Sequence, residues 1–446
     1  MSQKKTTFTE RARWDGFFAL DRMRGGTVRR KLEQDRYAWK HGTSFAETEQ
    51  RIRDLIRHAV ATTDYYRDYD PEIPLTDLPV VNKDTFRNHY DAFRSVQYLH
   101  ASDNRIMSTS GSTGTPLAMV QDHHKALCNT ADSIFLGTLG RYHIGEKMAF
   151  IRVWVNNVRK GKVQLMMENS IMMDSSSLSD ESIAKMLDIL KKQKVKCLIG
   201  YSSALGEISE YIRRSGTDMS GFSVHAILPI SEAMPDPIRA QLAEQFQCPV
   251  QAWYSNEENG IMGIQSADST AYYINSESYH YEILKMDSNE PAEDGELGRI
   301  VITDLTNYAF PIIRYDNGDT AIAHRKVRGD RYKLYLTELY GRRSDMLYDT
   351  AGNAVTPYVI TNNLWDVPGV KQYQFVQYSA KKYELRLNGD PEKMDVNDIL
   401  GRIQPAFGAD AEIRIKYVDE IPVLASGKRK YIENLMPGYD SKTAAR

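Results

Sequence analysis

Apolar residues recur along this chain with two periods. In "SFAETEQRIRDLIRHAVATTDYY" they fall at helical spacing, at Ile52, Leu55, Ile56 and Val60. "DLPVVNKDTFRNHYDAF" reads as a turn and a short helix starting near Asn82 or Lys83. Beyond residue 100 the period shortens. "RIMSTS" is strand-like, and "HHKALCNTADSIFLGTLGRY" is a helix. Strand patterns ("KMAFIRVWV", "KCLIGY", "VHAILPI", "PVQAWYS") then alternate with helical ones ("DESIAKMLDILKKQKV", "ALGEISEYIRRSG", "MPDPIRAQLAEQF"). Such alternation predicts an α/β domain with a largely parallel sheet. From Tyr272 to Arg314 the pattern turns β-rich, as in "GELGRIVITDL". "YGRRSD", Tyr340–Asp345, marks a boundary. After it come a hairpin ("KQYQFVQYSAKKYELRLNG"), a helix ("DVNDILGRIQPAF") and a strand ("AEIRIKYV"), the makings of a small α+β domain. The expected division is 1–340, with a helical start to 100, an α/β core over 101–270 and a β-rich part over 271–340, followed by 341–446.

The 446 residues are too many for one ordinary core, which agrees with two or more domains. A net charge of -2 gives no field that would favour nucleic acid or an acidic membrane surface. Local runs such as Lys191-Lys192 and Lys381-Lys382 read as solvated faces. Three cysteines, Cys128, Cys197 and Cys248, lie far apart, so a cysteine-rich zinc site is not expected and reduced thiols are. The N-terminal stretch has no apolar signal-peptide core, and no run reaches transmembrane length. The chain therefore reads as a soluble, cytoplasmic monomer or homodimer.

The stretch with the plainest chemistry is "STSGSTGTP", Ser108–Pro116. A strand, a Ser/Thr/Gly turn and a helix in that order aim backbone N–H groups at an anion. Gly111 and Gly114 allow close approach, and Ser110, Ser112 and Thr113 supply hydroxyls. As a bare pattern the tract also fits a surface loop. It lacks the lysine of a Walker loop, because Leu117 follows the proline.

"STSGSTGTP" resembles the phosphate loop of adenylate-forming enzymes, and Leu117 places the resemblance nearest the phenylacetate-CoA ligase branch with its relatives in polysaccharide gene clusters (CapK-like). Further segments agree in order. "LPISEAMPDPIRAQLAEQF" is similar to the segment lining the adenine, with Glu232 matching and Ala233 beside it; the usual glycine is absent. "WYSNEENG" is similar to the aromatic-Gly-x-Thr-Glu motif. There Tyr254, flanked by Trp253, Ser255 and Asn256, falls on the adenine-stacking aromatic, and Glu258 on the acid that helps hold Mg²⁺. Glu257 stands next to it as an alternative ligand, and core packing is an equal reading of Trp253.

"FPIIRYDNGDTA" is similar to the ribose-binding segment, with Asp319 as its carboxylate. "GRRSDML" is similar to the hinge, with Arg342 near ribose or phosphates and Ser344 at the pivot. "IPVLASGKRKYI" is similar to the C-terminal signature whose lysine, here Lys428, enters the active site.

The resemblance implies a large α/β domain and a small lid that swings on a hinge. It implies activation of a small-molecule carboxylic acid by ATP and Mg²⁺ as an acyl-adenylate, with release of pyrophosphate. Transfer to a thiol follows, most simply that of coenzyme A. Phosphopantetheine on a carrier protein, or an amine, would be an acceptor in trans. A catalytically inactive nucleotide-binding homologue is the remaining reading. The acyl pocket is expected near Tyr201 and the turn Asn259–Met262, with Ile261 and Met262 as lining or, equally, as core. His123 and His124 are expected at the surface or beside the helix cap.

Overall fold

The structure, a computed structural model, describes residues 7–108, 117–154, 161–355, 357–364, 367–422 and 430–436. The chain opens with helices α1 (Phe8–Met23) and α2 (Thr27–His41), a two-residue strand β1 (Thr43–Ser44), and helices α3 (Phe45–Thr62) and α4 (Lys83–Asn88). Asn82 caps α4: its Oδ1 accepts from the N–H groups of Asp84 and Thr85. That cap puts Lys83 at the first helical position.

Strands β2 (Arg105–Ser108) and β3 (Ala118–Gln121) then pair antiparallel, Ser108 opposite Ala118. Only after β3 does α5 (His123–Leu139) begin. This corrects the expected strand, turn and helix. The strands on either side of the Ser/Thr/Gly tract pair with each other, and the start of α5 is served by Asp122. Its Oδ1 accepts from Lys125 N–H at 2.7 Å, and its Oδ2 from Tyr308 N–H at 2.7 Å. A helix terminus already capped by a carboxylate is not the anion site.

The α/β core runs β4 (Met148–Arg152), α6 (Lys162–Glu168), β5 (Ser170–Asp174), α7 (Asp180–Lys192), β6 (Cys197–Tyr201), α8 (Ser202–Ser215), β7 (Ala226–Ile230) and α9 (Asp236–Phe246). Its sheet is wholly parallel, in the order β5-β4-β6-β7. Strands β6 and β7 are buried at every position, as a sheet covered on both faces requires. The next strand, β8 (Trp253–Asn256), does not extend this sheet. It joins an antiparallel sheet with β9 (Gly260–Gln265), β10 (Tyr272–Ile274), β11 (Tyr279–Leu284), β12 (Leu297–Asp304), β13 (Tyr315–Arg328) and β14 (Arg331–Arg342), in the order β11-β12-β13-β14-β10-β9-β8, with β1 against β14. One hydrophobic cluster spans the two sheets, and a second gathers α3, α4, β3 and the segment Leu305–Tyr315. Leu117, where many resembling loops carry lysine, is buried in the second cluster.

A smaller α+β region follows: β15 (Leu347–Tyr348), β16 (Ala354–Val355), α10 (Tyr358–Leu364), β17 (Val370–Gln377), β18 (Lys382–Gly389), α11 (Val396–Phe407), β19 (Glu412–Tyr417) and β20 (Ile432–Asn434). Its sheet, β19-β18-β17-β20, is centred on the expected hairpin, and it has a hydrophobic core of its own. Among the described residues no helix is long and apolar enough to cross a membrane.

Candidate functional site

Three strand ends and one helix start converge at a corner of the antiparallel sheet. Asp319, near the start of β13, pairs across the ladder with Arg342, the last residue of β14. Arg342 Nε lies 3.5 Å from Asp319 Oδ1, and the Tyr254 hydroxyl of β8 donates to Asp319 Oδ2 at 2.9 Å. Asn317 Nδ2 donates to the Tyr254 oxygen at 2.7 Å, while Asn317 Oδ1 accepts from Asp319 N–H. Burial pushes the Asp319 carboxyl above the usual range, opposed by the Arg342 charge and the Tyr254 hydroxyl. Burial, then the Asp319 charge, holds the Tyr254 phenol well above its ordinary value, so it stays a donor.

Glu258 lies in the turn between β8 and β9 and is buried. Its Oε1 is 3.1 Å from Lys83 Nζ and accepts from the Tyr315 hydroxyl at 3.2 Å. Neither Lys83 nor Tyr315 was singled out in the sequence. Both reach Glu258 across more than fifty residues of chain, and only the Asn82 cap hinted where Lys83 would stand. Among the described residues no cluster of three His, Cys, Asp or Glu side chains forms a metal cage. A magnesium ion fits a site of this kind nonetheless, because it takes one or two carboxylates and completes its shell with phosphates and water. Glu257, the alternative ligand, is exposed.

Glu232 follows β7. Ser231 turns the chain with φ 69°, and Glu232 Oε2 accepts from Ser203 N–H at 2.9 Å, in the first turn of α8. Ala233 is exposed beside it. Trp253 and Ser255 are half-buried, and Asn256 Oδ1 accepts from Asn259 N–H. Of the proposed acyl-pocket residues, Tyr201 and Met262 belong to the main hydrophobic cluster and Ile261 packs on it. Asp122 caps α5, and both His123 and His124 are exposed in its first turn. Ser110, Gly111, Ser112, Thr113, Gly114 and Lys428 lie outside the described residues, as does the side chain of Ser344.

A large α/β domain followed by a smaller α+β region is also the fold of solved acid-CoA ligase structures. The crystal structure of 2-hydroxyisobutyryl-CoA ligase in the postadenylation state superposes with a TM-score of 0.69 at 15% identity, covering 90% of this chain and 92% of that one. The same ligase in its thioesterification state gives 0.53 at 16% identity, covering 88% and 91%. Protein CapK of Staphylococcus aureus is 22% identical over 373 residues, 81% of this chain and 80% of that protein. The phenylacetate-coenzyme A ligase of Thermus thermophilus is 22% identical over 349 residues, 74% and 77% of the two chains. Residues 347–435 match the family described as the CapK C-terminal domain. The likenesses in sequence and in fold point the same way, to CapK-like proteins and acid-CoA ligases.

Proposed function

We propose that this chain activates a carboxylic acid with MgATP as an acyl-adenylate, releases pyrophosphate, and passes the acyl group to the thiol of coenzyme A. The observation that carries the reading is the convergence of Tyr254, Asp319, Arg342 and Glu258 at one corner. A carboxylate held from two sides is ready to accept hydrogen bonds from both ribose hydroxyls without reorganising. Its partner Arg342 is half-exposed and can turn toward the phosphates.

Glu258 would hold magnesium, whose charge, when bound, offsets that of the triphosphate. Lys83 now neutralises that buried carboxylate. Its ammonium is free to swing to a phosphate oxygen once a stronger cation takes the carboxylate, a point charge supplied from outside the lysine-less loop. The residues 110–114 would hold the β- and γ-phosphates, and Lys428 would bridge the acid and the α-phosphate, two anions that otherwise repel.

In this reading residues 1–340 are the adenylation domain and 341–446 a lid turning about Arg342–Ser344. Its separate core and the lower superposition score with the thioesterification state support a lid that moves as a body. Acid-dependent exchange of labelled pyrophosphate into ATP tests the proposal. Exchange that needs Mg²⁺ and an acid, and that falls at least a hundredfold in Asp319→Ala, is expected. A folded protein that binds ATP yet exchanges with none of a broad panel of acids would be an inactive nucleotide-binding homologue instead.

A further inference from the structure

The residue after Glu258 is Asn259. It is wholly buried, and neither its Oδ1 nor its Nδ2 has a hydrogen-bond partner. Its backbone, by contrast, is fixed: the N–H donates to Asn256 Oδ1 at 2.7 Å, and the carbonyl accepts from the Tyr279 hydroxyl at 2.7 Å. The turn cannot drift outward to wet the amide, nor close inward. Gly260 has φ 111°, and a Cβ there would stand 2.9 Å from Asn129 Oδ1 of α5. Asn129 in turn donates to Gln121 Oε1 at 3.1 Å, and Gln121 Nε2 is a second buried donor without a partner. Behind them Lys125 and Asp304, both wholly buried, satisfy each other's charge at 2.6 Å. Native proteins leave few buried polar atoms unmade, and a ligand is one standing reason for those that remain.

The position of this cluster says which ligand. Asn259 adjoins the proposed magnesium carboxylate, and Gln121 ends the strand that follows the phosphate tract. In the reading above, an acid attacking the α-phosphate would lie between these two segments. We propose that Asn259, assisted by Gln121, is the specificity-determining residue for the acyl group, and that the acid carries a hydroxyl on its acyl chain. The inference rests on the acid-activating reading above. An orphan carboxamide offers one acceptor and one donor side, and a hydroxyl meets both. A second carboxylate could only accept, and its charge would be buried beside a Lys125 ammonium already taken by Asp304. A bare alkyl or aryl chain would bury Asn259 and Gln121 unpaired, the arrangement that lets a site reject an analogue lacking the hydroxyl.

The experiment is pyrophosphate exchange with pairs of acids that differ by one hydroxyl, 3-hydroxybutyrate against butyrate and 4-hydroxyphenylacetate against phenylacetate among them. The wild type should use the hydroxylated member of at least one pair tenfold or more better in kcat/KM. Asn259→Leu should erase that preference, chiefly through KM, and Gln121→Met should weaken it. Without acid, Asn259→Leu should melt no lower than wild type, because a near-isosteric apolar side chain replaces an unpaired amide. Equal or better use of every unhydroxylated acid by the wild type would overturn the inference and leave the proposed function standing. So would an Asn259→Leu variant that melts lower but keeps the preference. Exchange with no acid at all would remove the proposed function, and this inference with it.

Discussion

The Tyr254 hydroxyl donates a hydrogen bond to Asp319 and accepts one from Asn317, so in the proposed reading the carboxylate is aligned before the nucleotide arrives. The ring itself is buried, which makes the hydroxyl the part of Tyr254 with an assigned partner. A hydrogen bond to a charged group contributes about 1.5–3 kcal/mol. Tyr254→Phe should therefore raise KM for ATP by about tenfold or somewhat more, with kcat little changed, in steady-state kinetics at saturating acid. An unchanged KM would show that Asp319 does not need this donor. Asp319 and Arg342 could be picked out as candidates because each sits in a short motif. Asn317, Lys83 and Tyr315 could not: their contacts join distant segments, and a lysine at a helix start or a tyrosine in an apolar run carries no local mark of its partner. Asn259 could be read only as one end of the turn expected near the acyl pocket; its buried, unpaired amide left no mark in the sequence.

At the scale of elements, α2 and α5 meet through a buried charge cluster. Lys31 and Asp35 pair on α2, and Lys31 Nζ is 3.2 Å from Asp132 on α5. Asn275 and Ser278 also donate to Asp132. Two carboxylates share one ammonium away from water, and burial above all pushes the Asp35 carboxyl up to about 8. The unfolded value is near 3.9. The folded state thus holds a proton there that the unfolded chain has lost, and this contribution to stability is full below about pH 4 and disappears as pH rises through about 8. Asp35→Asn mimics the protonated form. Its melting temperature relative to wild type should climb between pH 6 and pH 9; a difference that stays flat with pH would contradict a protonated Asp35.

Nothing in the sequence announced this interface, since polar helices at the start of a chain look solvent-facing. α6 and β5 were missed for another reason. "KVQLMMENSIMMD" holds its apolar residues at no clean period, and two short elements meet there at Asn169, in the left-handed region with φ 52°. The long periodic helices and the C-terminal hairpin, where pattern and structure coincide, were readable throughout.

For the whole molecule, the break in pattern at Tyr340–Asp345 lies between two hydrophobic clusters. Among the described residues, polar contacts cross it. Arg343 Nη1 reaches Asp316 Oδ2 at 3.3 Å, and Asn362 Oδ1 accepts from Asp236 N–H at 3.3 Å. The Arg343–Asp316 pair is largely buried, so a lid that turned would have to give Arg343 another partner or water in its place. If the lid carries Lys428 in for adenylation and out for transfer, Lys428→Ala should slow adenylate formation by at least a thousandfold while a supplied acyl-adenylate is still converted by coenzyme A at close to the wild-type rate. Equal loss of both half-reactions would contradict an alternating lid.

In the proposed reaction an acid oxygen attacks the α-phosphorus of ATP. Turnover of a carboxylic acid labelled with ¹⁸O in both oxygens, with ATP and coenzyme A, shows which phosphorus is attacked. One labelled oxygen should appear in AMP and the other should remain in the thioester, with pyrophosphate unlabelled. Label recovered in inorganic phosphate, with ADP as the nucleotide product, would mean attack at the γ-phosphorus and would contradict the account.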